Sequence, residues 1–93
     1  PVAGDSVTVS FKGMTIDGFV FDETAKDAPF TFMTGTGMVL PGWDEAMPFL
    51  QEESVSRLLI PSDLAYGARG YRDIPGYTSL VFDIEIVRIK KNP

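Results

Sequence analysis

The feature that most limits what this chain can become is the two-residue alternation of its apolar side chains. Residues 6–11 set Val7, Val9 and Phe11 on one side and Thr8 and Ser10 on the other. Residues 78–90 set Leu80, Phe82, Ile84 and Ile86 on one side and Val81, Asp83 and Glu85 on the other. A period of two is that of a strand with one buried and one wet face. Val87 and Ile89 break the phase of the second run, which predicts a bulge or a change of cover there. Asp17-Gly18 between 14–16 and 19–21 is a hairpin signal, and Phe30-Thr31-Phe32-Met33 after Pro29 is a further short strand. Residues 54–60, closed by Pro61, read as another.

One helix interrupts this pattern. Trp43, Ala46, Met47 and Leu50 recur at helical spacing, with Asp44 and Glu45 suited to the positive end of the helix dipole. Pro48 removes a donor and clashes with the preceding turn, so the helix is predicted to kink or end near Met47. Ser62 is a candidate N-cap for a single turn through Tyr66, and residues 67–77 read as a surface loop. Strands dominate and no βαβ alternation occurs. The expected fold class is therefore α+β, an antiparallel sheet curled around one short α-helix, in a single domain spanning residues 1–93.

Composition narrows the chemistry. There is no cysteine and no histidine, so disulfides, thiolate nucleophiles and the commonest metal ligands and general bases are absent. No metal and no cofactor are expected. A net charge of −5 opposes nucleic acid or anionic membrane as partners, and no apolar run approaches the roughly 20 residues of a membrane span. No targeting segment stands out in the chain as given, and its compartment is left open. The charge and the lack of long apolar runs favour a monomer. Acidic residues, Asp73 among them, are scattered over turns and wet strand faces and read as solvated. Asp22 is the exception, because it follows Phe21 at a strand end among aromatics, where a carboxylate needs a partner. Seven Phe, three Tyr and one Trp are a large aromatic supply for 93 residues. They can all be core, or they can line an apolar cleft with a few polar groups, the usual form of a small-ligand site.

The order of short fragments adds to this. Gly13-Met14, Asp17-Gly18, Phe21-Asp22, residues 29–32, residues 42–46, residues 64–67 and Leu80-Val81-Phe82-Asp83 together resemble the FKBP-type peptidyl-prolyl cis–trans isomerases. The resemblance covers residues 4–90 and implies the FKBP fold, with the first strand of the full domain missing before Pro1. It implies a pocket floored by Trp43 and walled by Phe11, Phe21, Phe30, Val39, Leu40 and Phe82, with Tyr66 reaching in from a loop. The Leu40 amide and the Tyr66 hydroxyl would donate to ligand carbonyls, Asp22 would stand at the rim, and Tyr71 and Ile74 would sit on a flap. Asp22, Tyr66, Phe82 and Phe21 are the implied catalytic group. Proline-containing polypeptides are the implied substrates, with assistance to protein folding as the role and tacrolimus- or rapamycin-like macrolides as inhibitors.

This sequence departs from the family at several points. Phe11 stands where a tyrosine usually holds the rim aspartate, Glu53 where a glycine is common, and residues 71–75 are one residue shorter than usual. The first departure keeps a second reading open, a non-catalytic binding or chaperone module on the same fold.

Overall fold

A computed structural model describes residues 1–72 and 74–91; Asp73 lies outside the described residues. Five strands, β1 (Ser6–Thr15), β2 (Val20–Glu23), β3 (Phe30–Met33), β4 (Val55–Ile60) and β5 (Leu80–Lys90), form one antiparallel sheet. Strand order is β2-β1-β5-β4, and β3 pairs with the first half of β1 on the side where β2 pairs with its second half. Between these two pairings Thr24 completes the ladder. Its amide donates to the Phe11 carbonyl at 2.9 Å, and its hydroxyl accepts from the Phe11 amide at 3.0 Å.

The alternation of the terminal runs decides which face is buried. Val7, Val9, Leu80, Phe82, Ile84 and Ile86 all point into one core, joined by Phe32, Ile60 and Ile74. The phase break in β5 is a bulge. Arg88 opposes Thr8 and Ile86 opposes Val9, so Val87 is unpaired and exposed while Ile86 and Ile89 both reach the core side.

The helix α1 spans Pro41–Ala46 and passes directly into a 3₁₀ turn at Met47–Phe49. Pro48 has no N–H to continue the α pattern, so the chain tightens instead and Leu50 donates to the Met47 carbonyl at 3.0 Å. Trp43 and Met47 project from this segment into the core. Asp44 does more than complement a dipole. Its carboxylate accepts from the amides of Gly35 and Gly37 at 2.9 and 3.1 Å, tying the loop after β3 to the helix.

Three expectations are corrected. The hairpin closes earlier than Asp17-Gly18 alone implied. Thr15 donates its amide to the Phe19 carbonyl at 2.8 Å, leaving Ile16 and Phe19 in the turn rather than in strands. Ser62 is not a cap: the second 3₁₀ turn, Ser62–Leu64, is entered from Pro61 with no side-chain cap bond, and the Ser62 carbonyl instead accepts from Ala65 and Gly67. Residues 67–77 are not wholly superficial, because Tyr71 and Ile74 pair through mutual backbone hydrogen bonds of 2.9 and 2.8 Å, which turns the Ile74 side chain into the core.

Glu53 adopts φ +63°, a conformation in which a Cβ is strained. Glu53→Gly is therefore expected to stabilise the fold by about 1 kcal/mol in urea denaturation. An unchanged midpoint would show that the greater freedom of glycine in the unfolded chain cancels the strain relieved, since the 2.7 Å bond from the residue 53 amide to the Ile86 carbonyl is made by either residue.

Candidate functional site

On the core-facing side of the sheet, β1, β2, β3, α1 and β5 leave an open cleft of about 420 Å³. Its centre is a ring triangle. Trp43 meets Phe11 and Phe82 edge-on at centroid distances of 5.1 and 5.2 Å, and Phe11 lies 6.1 Å from Phe82. Phe21 packs edge-on to Phe82 at 5.6 Å and Phe30 to Phe11 at 6.2 Å, extending the wall in both directions. Such arrangements satisfy the ring quadrupoles and hold each ring in one orientation. Val39, Leu40, Tyr66 and Asp22 complete the lining among the residues read from the sequence.

A second bulge explains how Phe21 and Asp22 reach the same place. Sequence neighbours on a regular strand point to opposite faces. In β2, however, Asp22 opposes Gly13 and Val20 opposes Met14, so Phe21 is the extra residue and both it and Asp22 turn toward the cleft. Gly13 makes this possible. A Cβ there would stand 2.7 Å from the Phe82 ring and 2.8 Å from the Phe21 ring, so the two rings close over a position that only glycine fits.

Polar groups around this apolar space are few. The Leu40 amide donates to no protein group among the described residues, since the turn uses only its carbonyl, which accepts from Trp43 and Asp44. The Trp43 indole N–H is buried without an acceptor, the one such side-chain atom among the described residues. The Tyr66 hydroxyl is pushed above its usual range of 10.0, first by burial and then by Tyr71 and Asp22 nearby, so it remains a hydrogen-bond donor at neutral pH. Asp22 is exposed and, with Phe11 supplying no hydroxyl, its carboxylate makes no hydrogen bond among the described residues.

Tyr71 and Ile74 stand elsewhere. They line an adjoining cleft of about 670 Å³ that shares Phe21, Asp22, Val39, Leu40 and Tyr66 with the first. Tyr71 stacks on Tyr66 at 4.8 Å with planes 15° apart, and the Arg72 guanidinium lies 5.0 Å from the Tyr71 ring centroid. The loop is thus fastened to the cleft rim by ring stacking.

The sequence profile of the FKBP-type peptidyl-prolyl cis-trans isomerases matches residues 1–87. The chain belongs to this family. It is 40% identical over 88 residues to FK506-binding protein 4 of Emericella nidulans, covering 95% of this chain and 18% of that protein. It is 40% identical over 91 residues to FK506-binding protein 1A of Aspergillus fumigatus, covering 96% of this chain and 81% of the relative. Against peptidyl-prolyl cis-trans isomerase FKBP2 of Mus musculus the identity is 39% over 90 residues, 95% of this chain and 64% of the relative. The FKBP domain described here therefore spans about a fifth of the first of these relatives and most of the second.

Sequence reasoning missed part of the cleft of this FKBP domain. Glu23 at the end of β2 also borders it, as do Thr24, Ala28 and Pro29 from the polar stretch between β2 and β3 that reads as an ordinary loop. No local signal marks them: the segment crosses the mouth of the cleft only because β2 and β3 pair on one side of β1.

Proposed function

We propose that this FKBP domain catalyses cis–trans isomerisation of X–Pro peptide bonds in polypeptide substrates, with the prolyl ring in the aromatic cleft. The observation that carries the reading is the Trp43–Phe82–Phe11 ring triangle bordered by an unused amide donor at Leu40 and a protonated Tyr66 hydroxyl.

The chemistry suits such a site. Rotation about the X–Pro bond is opposed by amide resonance, with a barrier of about 18–20 kcal/mol, and no covalent bond has to break. A planar amide concentrates charge on its carbonyl oxygen and is well solvated by water. The twisted amide has lost that resonance, its carbonyl is less polar, and a dry aromatic surface accepts it at lower cost than it accepts the planar form. The Leu40 amide and the Tyr66 hydroxyl then hold the carbonyls on either side so that one end of the bond is fixed while the other turns. Each 1.4 kcal/mol or so of preference for the twisted form is a tenfold acceleration. A macrolide inhibitor is expected to compete with substrate for the same cleft.

The test is NMR exchange on a Leu-Pro peptide with and without tacrolimus. Catalysis that the macrolide blocks supports the reading. A folded domain with neither property would sink it and favour the binding-module alternative, to which the unpartnered Asp22 beside Phe11 already lends support.

Tyr66→Phe keeps the ring stacked on Tyr71 and removes only the donor. Turnover is expected to fall roughly three- to tenfold, the worth of one hydrogen bond, with little change in stability. Because folding raises the Tyr66 value, the neutral hydroxyl is the favoured folded form. Its contribution is fully present below pH 10.0 and is lost as the pH rises through the raised folded value. Parent turnover should accordingly stay level across pH 7–9, and a decline in that window absent from Tyr66→Phe would place the titration at Tyr66 and contradict this.

A further inference from the structure

The outer face of the sheet, opposite the cleft, carries two rows of side chains that run across four strands. Directly opposed residues in antiparallel pairs share a face. The register therefore lines up Glu23 of β2, at the strand end that also borders the mouth of the cleft, Lys12 of β1, Asp83 of β5 and Arg57 of β4 as one row. The next row is Val20, Met14, Val81 and Leu59, on the same strands in the same order. The first row alternates in charge, and at its β4 end the Arg57 guanidinium grips Asp83 through two bonds of 2.6 and 3.0 Å. The second row is wholly apolar, yet Leu59 is 65% exposed and Val20 38% exposed.

These rows are complementary to themselves. A twofold axis parallel to the strands, lying between two stacked faces, reverses strand order but leaves each row over its own counterpart. Arg57 then faces Glu23 of the other copy, Asp83 faces Lys12, and the apolar row closes on the apolar row. An axis across the strands would instead lay charges over apolar side chains. The match in charge and in apolarity thus selects one orientation of one occupant, a second copy of this chain.

We infer that two copies of this domain associate, as a weak symmetric dimer, by stacking the outer faces of their sheets. The apolar row supplies the attraction, since stacked sheets bury such side chains in a layer about 10 Å thick. The charge row lies inward of the apolar row along β1, β4 and β5, further from the strand ends, and sets orientation more than affinity. The interface is small and is matched to transient association. The clefts stay open on the far sides. Neither row is visible as an apolar run in the sequence, because each strand contributes a single residue to it.

Sedimentation of the parent domain from about 10 μM to 1 mM, a range that spans weak association constants, is expected to show reversible dimers. Arg57→Glu and Glu23→Arg, each alone, set like charges against each other at both ends of the interface and should weaken association at least tenfold. An equal mixture of the two variants should restore it, because each copy then meets its opposite. Arg57 and Glu23 are three strands apart, about 14 Å at sheet spacing, so an effect within one copy cannot produce that rescue. Attraction by net charge cannot either, since from −5 both variants remain negative. Leu59→Lys, at an exposed position, removes the apolar contact without disturbing the core and should abolish dimers. A parent that stays monomeric at 1 mM, a mixture that fails to associate, or a Leu59→Lys domain that dimerises like the parent would each overturn the inference.

Discussion

Phe82→Ala should be the most damaging single change in the domain, lowering folding stability by about 3–5 kcal/mol, the range for emptying a buried aromatic position. Phe82 is 3% exposed and is the ring on which three others lean: Trp43 at 5.2 Å, Phe21 at 5.6 Å and Phe11 at 6.1 Å. Its strand pairs with β1 over nearly its whole length and with β4 from Leu80 to Glu85, the part that holds Phe82, so the backbone there has little freedom to close the space. A domain of this size has about 5–10 kcal/mol in total, so the variant stands near the edge of folding at 25 °C. Urea denaturation measures it through the midpoint. A loss under 1 kcal/mol would mean that the neighbouring rings collapse into the gap, and the rigid triangle described above would be wrong. Where the variant folds poorly, Phe82→Leu offers the milder form, with partial loss of stability and of the edge-on contact to Trp43 together.

Gly13→Ala should have the largest effect on the cleft for the smallest change in side chain. The added methyl carbon would lie 2.7 Å from one ring and 2.8 Å from the other, closer than such atoms approach, and both rings are already fixed by each other. One of them must leave its place. Overpacking of this kind costs about 1–3 kcal/mol. On the proposed function, turnover should fall more than tenfold, as a misplaced wall weakens selection of the twisted bond. Near-parent stability with lost turnover would localise the effect to the cleft. Near-parent turnover would show that the Phe21 ring can be displaced without consequence, and would remove it from the reacting surface. Gly13 touches no substrate in this account and acts by positioning. Gly13→Ser, almost as small, should reproduce the loss, while Gly18→Ala, at a turn glycine with φ +96° whose Cβ would meet nothing within 4 Å, should cost stability through backbone strain but leave turnover of the folded domain near the parent's.

Much of this molecule was legible before any coordinates. Val7, Val9, Leu80, Phe82, Ile84 and Ile86 announce the buried face, Val87 the bulge, and Pro48 the end of the helix, because each is a local matter: a strand's side chains alternate by geometry, and proline lacks a donor wherever it stands. The ordered fragments likewise suffice for the family. Other features depend on pairing between distant segments, and no local pattern carries that. Phe21 and Asp22 share a face only because the register of β2 against β1 slips by one residue. Gly13 matters only because two rings, from β2 and β5, meet above it. Asp44 reads as a helix-start carboxylate, yet its partners are the amides of a loop seven and nine residues away. The charged and apolar rows of the outer face exist only once four strands are laid side by side. The sequence by itself determined which residues prefer a strand or a helix and which face they bury. The tertiary structure decided which of them meet, since register is set by the sum of many weak contacts across the sheet rather than by any one residue's preference.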